Sequence, residues 1–179
     1  MQADAFIARW AGRGGGQERA NYALFLSELC DVIGVPRPEP AAVGATNDYV
    51  FERVVTEVQR DGSVAHKRID LYKRGCFVLE AKQSRQPGAT KELVGEATPR
   101  GPAGRGRSGA DRAWDVLMMN ARRQAEDYVR LLPPSHPVPP FVIVCDVGHC
   151  LELYANFRGD ARAFDQFPSR SGFRIVSSN

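Results

Sequence analysis

Three observations predict an α/β domain, in detail an α+β arrangement of helices around a mixed sheet. Two stretches, Gln17–Ile33 and Asp111–Leu132, carry apolar residues at three- and four-residue steps. Between them lie β-rich segments punctuated by turn residues. After the second comes Phe141–Val147, nearly continuous apolar sequence of the kind a strand covered on both faces shows.

In the first helix Tyr22, Phe25, Leu26, Leu29 and Ile33 form one face, and Gly34 stops it ahead of Pro36, Pro38 and Pro40. The preceding Gly12–Gly16 segment lacks both the Gly-Lys-Ser/Thr ending and the leading strand of a phosphate loop, so it reads as a flexible lead-in. Tyr49–Gln59, His66–Tyr72 and Cys76–Gln83 then form an antiparallel meander. Its turns are the tight-hairpin dipeptide Asp61-Gly62 and Lys73-Arg74-Gly75, with the glycine at positive φ. Pro87–Gly109, rich in Gly, Pro, Ala and Arg, reads as a mobile loop inside the domain.

Asp111 is expected to cap the second helix, whose stripe is Trp114, Leu117, Met118, Ala121, Ala125, Tyr128 and Leu132; Pro133 and Pro134 end it. Phe141–Val147 and Leu151–Phe157 should pair across the Gly148-His149 turn, and Phe173–Val176 is a weak strand. A helix joining the third strand to a buried fourth implies a right-handed parallel crossover, hence a mixed sheet with a helix on each side. One domain over residues 1–176 is expected, with 177–179 a tail that reads as a truncated end.

Composition narrows the function. With 179 residues and 43% hydrophobic content the chain can fill one core. Its 24 basic and 21 acidic residues exclude a polybasic coating protein but permit a local basic face. No apolar run approaches the roughly 18 residues needed to span a bilayer, and no secretory signal opens the chain. The four cysteines form no CxxC pair, and Cys145, His149 and Cys150 have the wrong spacing and one ligand too few for zinc. A reduced cytoplasmic protein is expected.

The chemistry concentrates in Arg-Ile-Asp70-Leu-Tyr and Phe-Val-Leu-Glu80-Ala-Lys82-Gln. Alternation puts Glu80 and Lys82 on one face and Phe77, Leu79 and Ala81 on the other. With Lys73–Gly75 as the turn, Tyr72 faces Cys76 and Asp70 faces Val78, leaving Glu80 diagonal to Asp70 on the same side. Two carboxylates with the Ala81 backbone carbonyl suit Mg²⁺, with Mn²⁺ as a substitute, and Lys82 can orient an attacking water on a phosphodiester. On the order of one Glu-x-Lys tripeptide arises by chance in such a chain; the apolar strand and its Ile-Asp partner give this one weight. An exposed edge-strand salt bridge is the alternative. Gln124, on the apolar stripe beside Tyr128, needs a partner, either the carboxylate cluster, a phosphate or the backbone.

The order helix, Ile-Asp, nine residues, Glu-Ala-Lys, then a helix bearing Gln124-x-x-x-Tyr128 resembles the PD-(D/E)XK nuclease superfamily, and its last piece the RecB-like branch. More narrowly, FIARWAGRGGGQERANYALFLSELCDVIGVPRP, NDYVFERVV and RIDLYKRGCFVLEAKQS resemble the N-terminal nuclease domain of MmeI-like type IIL restriction–modification enzymes. The likeness covers about Asp4 to Phe173. It implies Mg²⁺-dependent cleavage of double-stranded DNA, with Asp70 and Glu80 metal-binding and catalytic and Lys82 catalytic. It also implies that the full-length protein carries an adenine methyltransferase and a target-recognition domain. Supporting or DNA-contacting candidates are Glu18, Glu52, Gln83, Gln124, Tyr128, Arg105 and Arg107, with Lys91 and Arg100 in the same basic segment.

No Asn-Pro-Pro-Tyr-type motif and no glycine-rich S-adenosylmethionine loop occur, so methylation is not expected of these residues and S-adenosylmethionine belongs to a full-length fusion. The alternatives are a catalytically weak module that binds DNA or docks a methyltransferase, and a RecB-like exonuclease or repair nuclease.

Overall fold

The computed structural model describes residues 3–11, 18–43, 45–84 and 109–176, excepting the side chains of 18–20 and 109–112. Helix α1 (Ala3–Trp10) precedes α2 (Glu18–Ile33); β1 (Tyr49–Val58), β2 (Val64–Lys73) and β3 (Phe77–Lys82) follow. Then come α3 (Gly109–Arg130), β4 (Phe141–Asp146), β5 (Cys150–Ala155), β6 (Asp165–Gln166) and β7 (Arg174–Val176). The mixed α/β architecture is the expected one. Among the described residues seven strands form one sheet in the order β1-β2-β3-β4-β5-β6, with β7 also on β5. The β3–β4 pair is parallel and spanned by α3; every other pair is antiparallel.

The two faces of the sheet divide the core in two, with strand alternation interrupted in β2 at Asp70, since Ile69 and Leu71 lie in different clusters. On one face α3 lays Trp114, Met118, Ala121, Ala125 and Tyr128 against Ile69, Tyr72, Val78, Val142 and Val144. On the other, α1 and α2 bring Phe6, Trp10, Tyr22, Phe25 and Leu26 onto Leu71, Leu79, Ala81 and Cys145. Each of the Leu, Ile, Val, Met and Phe side chains among these contributes about 1.5–3 kcal/mol on burial. Cys145 and Cys150 therefore lie in cores on opposite faces of the sheet, which rules out a shared ion.

Several sequence expectations change. Helix α1 was not anticipated; it docks through Phe6 and Trp10, and the Trp10 indole donates to buried Glu28 at 2.8 Å. Ile33 is exposed, because α2 ends there: Gly34 turns left-handed and the Val35 N–H bonds the Cys30 carbonyl at 3.0 Å. Helix α3 starts two residues before Asp111, which lies inside its first turn rather than at its cap.

The Asp61-Gly62 connection is longer than a two-residue turn, since Val58 pairs with Val64 and the Gln59 N–H bonds the Ser63 carbonyl. The β2–β3 turn is Arg74-Gly75-Cys76, so Tyr72 faces Val78 and not Cys76. That two-residue slip preserves every side chain's face, because the strand period is two. Residues 87–108 of the expected loop lie outside the described residues, as do Lys91, Arg100, Arg105 and Arg107.

Candidate active site

Strands β2 and β3 pair over only Leu71–Leu79, Tyr72–Val78 and Lys73–Phe77. Beyond Leu71 the main-chain ladder gives way to a side chain: the Ala81 N–H donates to Asp70 Oδ2 at 2.7 Å. Continuing the register sets Asp70 directly across from Glu80 instead of diagonal to it. Strand β3 has a neighbour on each side, β2 and β4, which removes the edge-strand alternative. Glu80 is 2% exposed, and the Lys82 ammonium, 19% exposed, donates to its Oε1 at 2.5 Å. A carboxylate so buried persists only beside a cation or donors.

Glu52 stands at the register position opposite Asp70, between the pairs Phe51–Leu71 and Arg53–Ile69, where the β1–β2 pairing skips one residue. Its φ of 53° is left-handed, a conformation that costs a residue with a Cβ about 1–2 kcal/mol. The Tyr22 hydroxyl donates to Glu52 Oε1, and Arg68 lies 3.9 Å from Oε2. The Tyr22 phenol is held far above its ordinary pKa, first by burial, next by the bond to Glu52 and its charge, then by the charges of Asp70 and Glu80. One hydroxyl thus senses three acids contributed by three adjacent strands.

The other candidates distribute as follows. Gln83 is buried, and its Oε1 accepts the Asn21 amide at 3.4 Å. The Gln124 amide bonds the Tyr128 hydroxyl at 2.6 Å, which is neither the carboxylate nor the backbone partner expected. Burial raises the pKa of Tyr128, the Gln124 bond opposes this, and Glu80 and Asp70 raise it further, so Tyr128 lies within the field of the acid pair. Glu18 begins α2, but its side chain lies outside the described residues.

Among the described residues no group of three or more His, Cys, Asp or Glu side chains is arranged to hold a metal ion. An ion at Asp70 and Glu80 would have two carboxylates, backbone oxygen and water. That oxygen-only donor set fits a hard cation that keeps much of its hydration shell.

Sequence reasoning missed Asp146. It ends β4 opposite Lys82, fully buried, with Oδ1 accepting the Ser84 N–H at 2.9 Å and Oδ2 the Trp114 indole at 2.7 Å. An acid closing the apolar run Phe-Val-Ile-Val-Cys-Asp was the available signal.

Fold and site together define a mixed α/β domain with an acid pair and a lysine gathered where two strands part. The chain matches the family model for the MmeI N-terminal domain over residues 1–178 and belongs to that family, which sets it in a restriction–modification enzyme context. Comparisons with curated proteins and with solved structures gave no match. Among the described residues no helix is long and apolar enough to cross a membrane.

Proposed function

We propose that this domain cleaves double-stranded DNA with Mg²⁺ or Mn²⁺ as the PD-(D/E)XK-type endonuclease part of a restriction–modification protein. The observation that carries this reading is the parting of β2 from β3. It turns Asp70 to the Ala81 amide beside a buried Glu80 whose carboxylate already accepts a cationic partner.

In this reading Asp70, Glu80 and the Ala81 carbonyl hold the divalent ion. The ion would neutralise phosphate charge and make a bound water more acidic. Asp70 is oriented by the Ala81 N–H at its Oδ2. Lys82 keeps a proton in hand on a flexible stem, so its ammonium can turn from Glu80 to the attacking water or a phosphate oxygen. Glu52, steered by Tyr22, flanks the pair, and Tyr128 closes the α3 side. The duplex, a methyltransferase and a target-recognition domain are the proposed partners.

Nicking of closed circular plasmid with Mg²⁺ or Mn²⁺ tests this reading, with Lys82→Ala and Asp70→Asn as controls. Metal-dependent nicking lost in both variants is the expected result. DNA binding without nicking, unaltered in Lys82→Ala, would make the domain a binding module instead. Cleavage of linear but not circular DNA would make it an exonuclease.

A further inference from the structure

A carboxylate with no exposed surface must replace its lost hydration with donors, or it destabilises the fold by several kcal/mol. Asp146 accepts N–H groups from separate parts of the chain. The Trp114 indole comes from the first turns of α3, and the Ser84 backbone N–H comes from the segment leaving β3. Asp146 itself sits across the parallel ladder from Lys82, and the next N–H, of Val147, bonds the Lys82 carbonyl at 2.7 Å. The Trp114 ring is held on its face by the Arg174 guanidinium, 4.6 Å from the ring centre.

We propose that Asp146 is a positioning residue: by joining Trp114 of α3 to the backbone of Ser84, it fixes the end of β3 and thereby the ammonium of Lys82 over Glu80. Its consequence for cleavage rests on the nuclease reading above; the clamp itself does not. The chemistry calls for a carboxylate and not an amide. The indole and the Ser84 amide are both donors to different oxygens, and an asparagine accepts through one atom only, so its NH₂ would face one of those N–H groups. On the other face of β3 the Asn21 amide contacts Gln83 at 3.4 Å.

Two readouts on the whole chain test the proposal, using Asp146→Asn and Trp114→Phe. The first is amide exchange of Lys82–Ser84, which is expected to quicken about tenfold in both variants, while β1–β2 amides stay protected. The second is Mg²⁺-dependent plasmid nicking below the melting range. Turnover is expected to fall on the order of 10–100-fold, with the Mg²⁺ concentration for half-activity shifted by less than about threefold. Tyr154→Phe, which removes a hydrogen bond to Glu152 elsewhere in the same core, should alter neither readout.

Unchanged exchange at Lys82–Ser84 in both variants would overturn the clamp. Faster exchange with undiminished turnover would reduce Asp146 to a purely structural role and overturn its positioning function. If the unmutated protein never nicks DNA, the nuclease reading fails while the exchange result still decides the clamp.

Discussion

Among the described residues the sheet holds two buried carboxylate–cation pairs, one between near neighbours on β3 and one joining β5 to β7, that differ in what surrounds them. On β5, Glu152 is bound by the Arg174 Nε at 2.8 Å and also by its Nη2, and its second oxygen accepts the Tyr154 hydroxyl at 2.7 Å. Arg174 is packed between the rings of Trp114 and Phe173. That pair is locked: a rigid guanidinium fork and a phenol fix the carboxylate on a fully paired strand.

On β3, the Glu80 carboxylate accepts the Lys82 ammonium, carried on a flexible stem, at the place where the ladder to β2 has ended and a second acid, Asp70, faces it. The difference teaches that a Glu and a cation do not make a site. What distinguishes the β3 pair is a like charge across a gap, which two acids tolerate only with cations nearby.

Opposite responses to neutralisation would sharpen that contrast. Glu80→Gln should lower Mg²⁺-dependent nicking on the order of 10²–10³-fold while holding or raising the melting temperature, because it relieves repulsion from Asp70. A clear drop in melting temperature with nicking intact would show that Glu80 is structural. Arg174→Met leaves Glu152 buried without its cation and should cost about 3–5 kcal/mol, read by denaturant unfolding. A cost below about 1 kcal/mol would break the comparison from the other side.

Smaller effects test the supports. In Gly148→Ala a new Cβ would come within 2.6 Å of the Trp10 carbonyl oxygen at a φ of 77°, loosening α1 from the β4–β5 turn. A loss of about 1–3 kcal/mol in thermal unfolding is expected. A neutral result would mean that α1 does not need its close approach.

The smallest effect concerns acid stability. Burial and the charges of Arg53 and Arg74 hold His136, whose ring bonds the Tyr72 hydroxyl at 2.6 Å, below its ordinary pKa of 6.5. The unfolded chain then takes up the proton first, so stability is full above about pH 6.5 and is lost as pH falls towards the lowered folded value. His136→Gln should flatten the melting temperature between pH 7.5 and 5; an unchanged slope would exclude His136 as a source of acid sensitivity.

Some of this was legible in residues alone, for a physical reason. Strand alternation is local, so Glu80 and Lys82 share a face whatever the pairing, and the Leu79–Ala81 face follows. A helix stripe is equally local, and Trp114, Met118, Ala121, Ala125 and Tyr128 are buried where their spacing puts them. Tyr22 illustrates the limit: its position on the apolar face of α2 was readable, its bond to Glu52 was not.

By itself, then, the sequence determined the order of the elements from α2 to β5, the apolar stripes of the two long helices and the short list of charged residues worth examining. These depend on periodicities of a few residues. Only the tertiary structure decided that Asp70 stands opposite Glu80, that Glu52 turns left-handed beside them and that Asp146 fastens α3 to the end of β3. Each of those joins residues well apart in the chain, as far as the 62 positions between Ser84 and Asp146, and the free energy that selects among such pairings resides in burial and desolvation of the whole core, which no local pattern records.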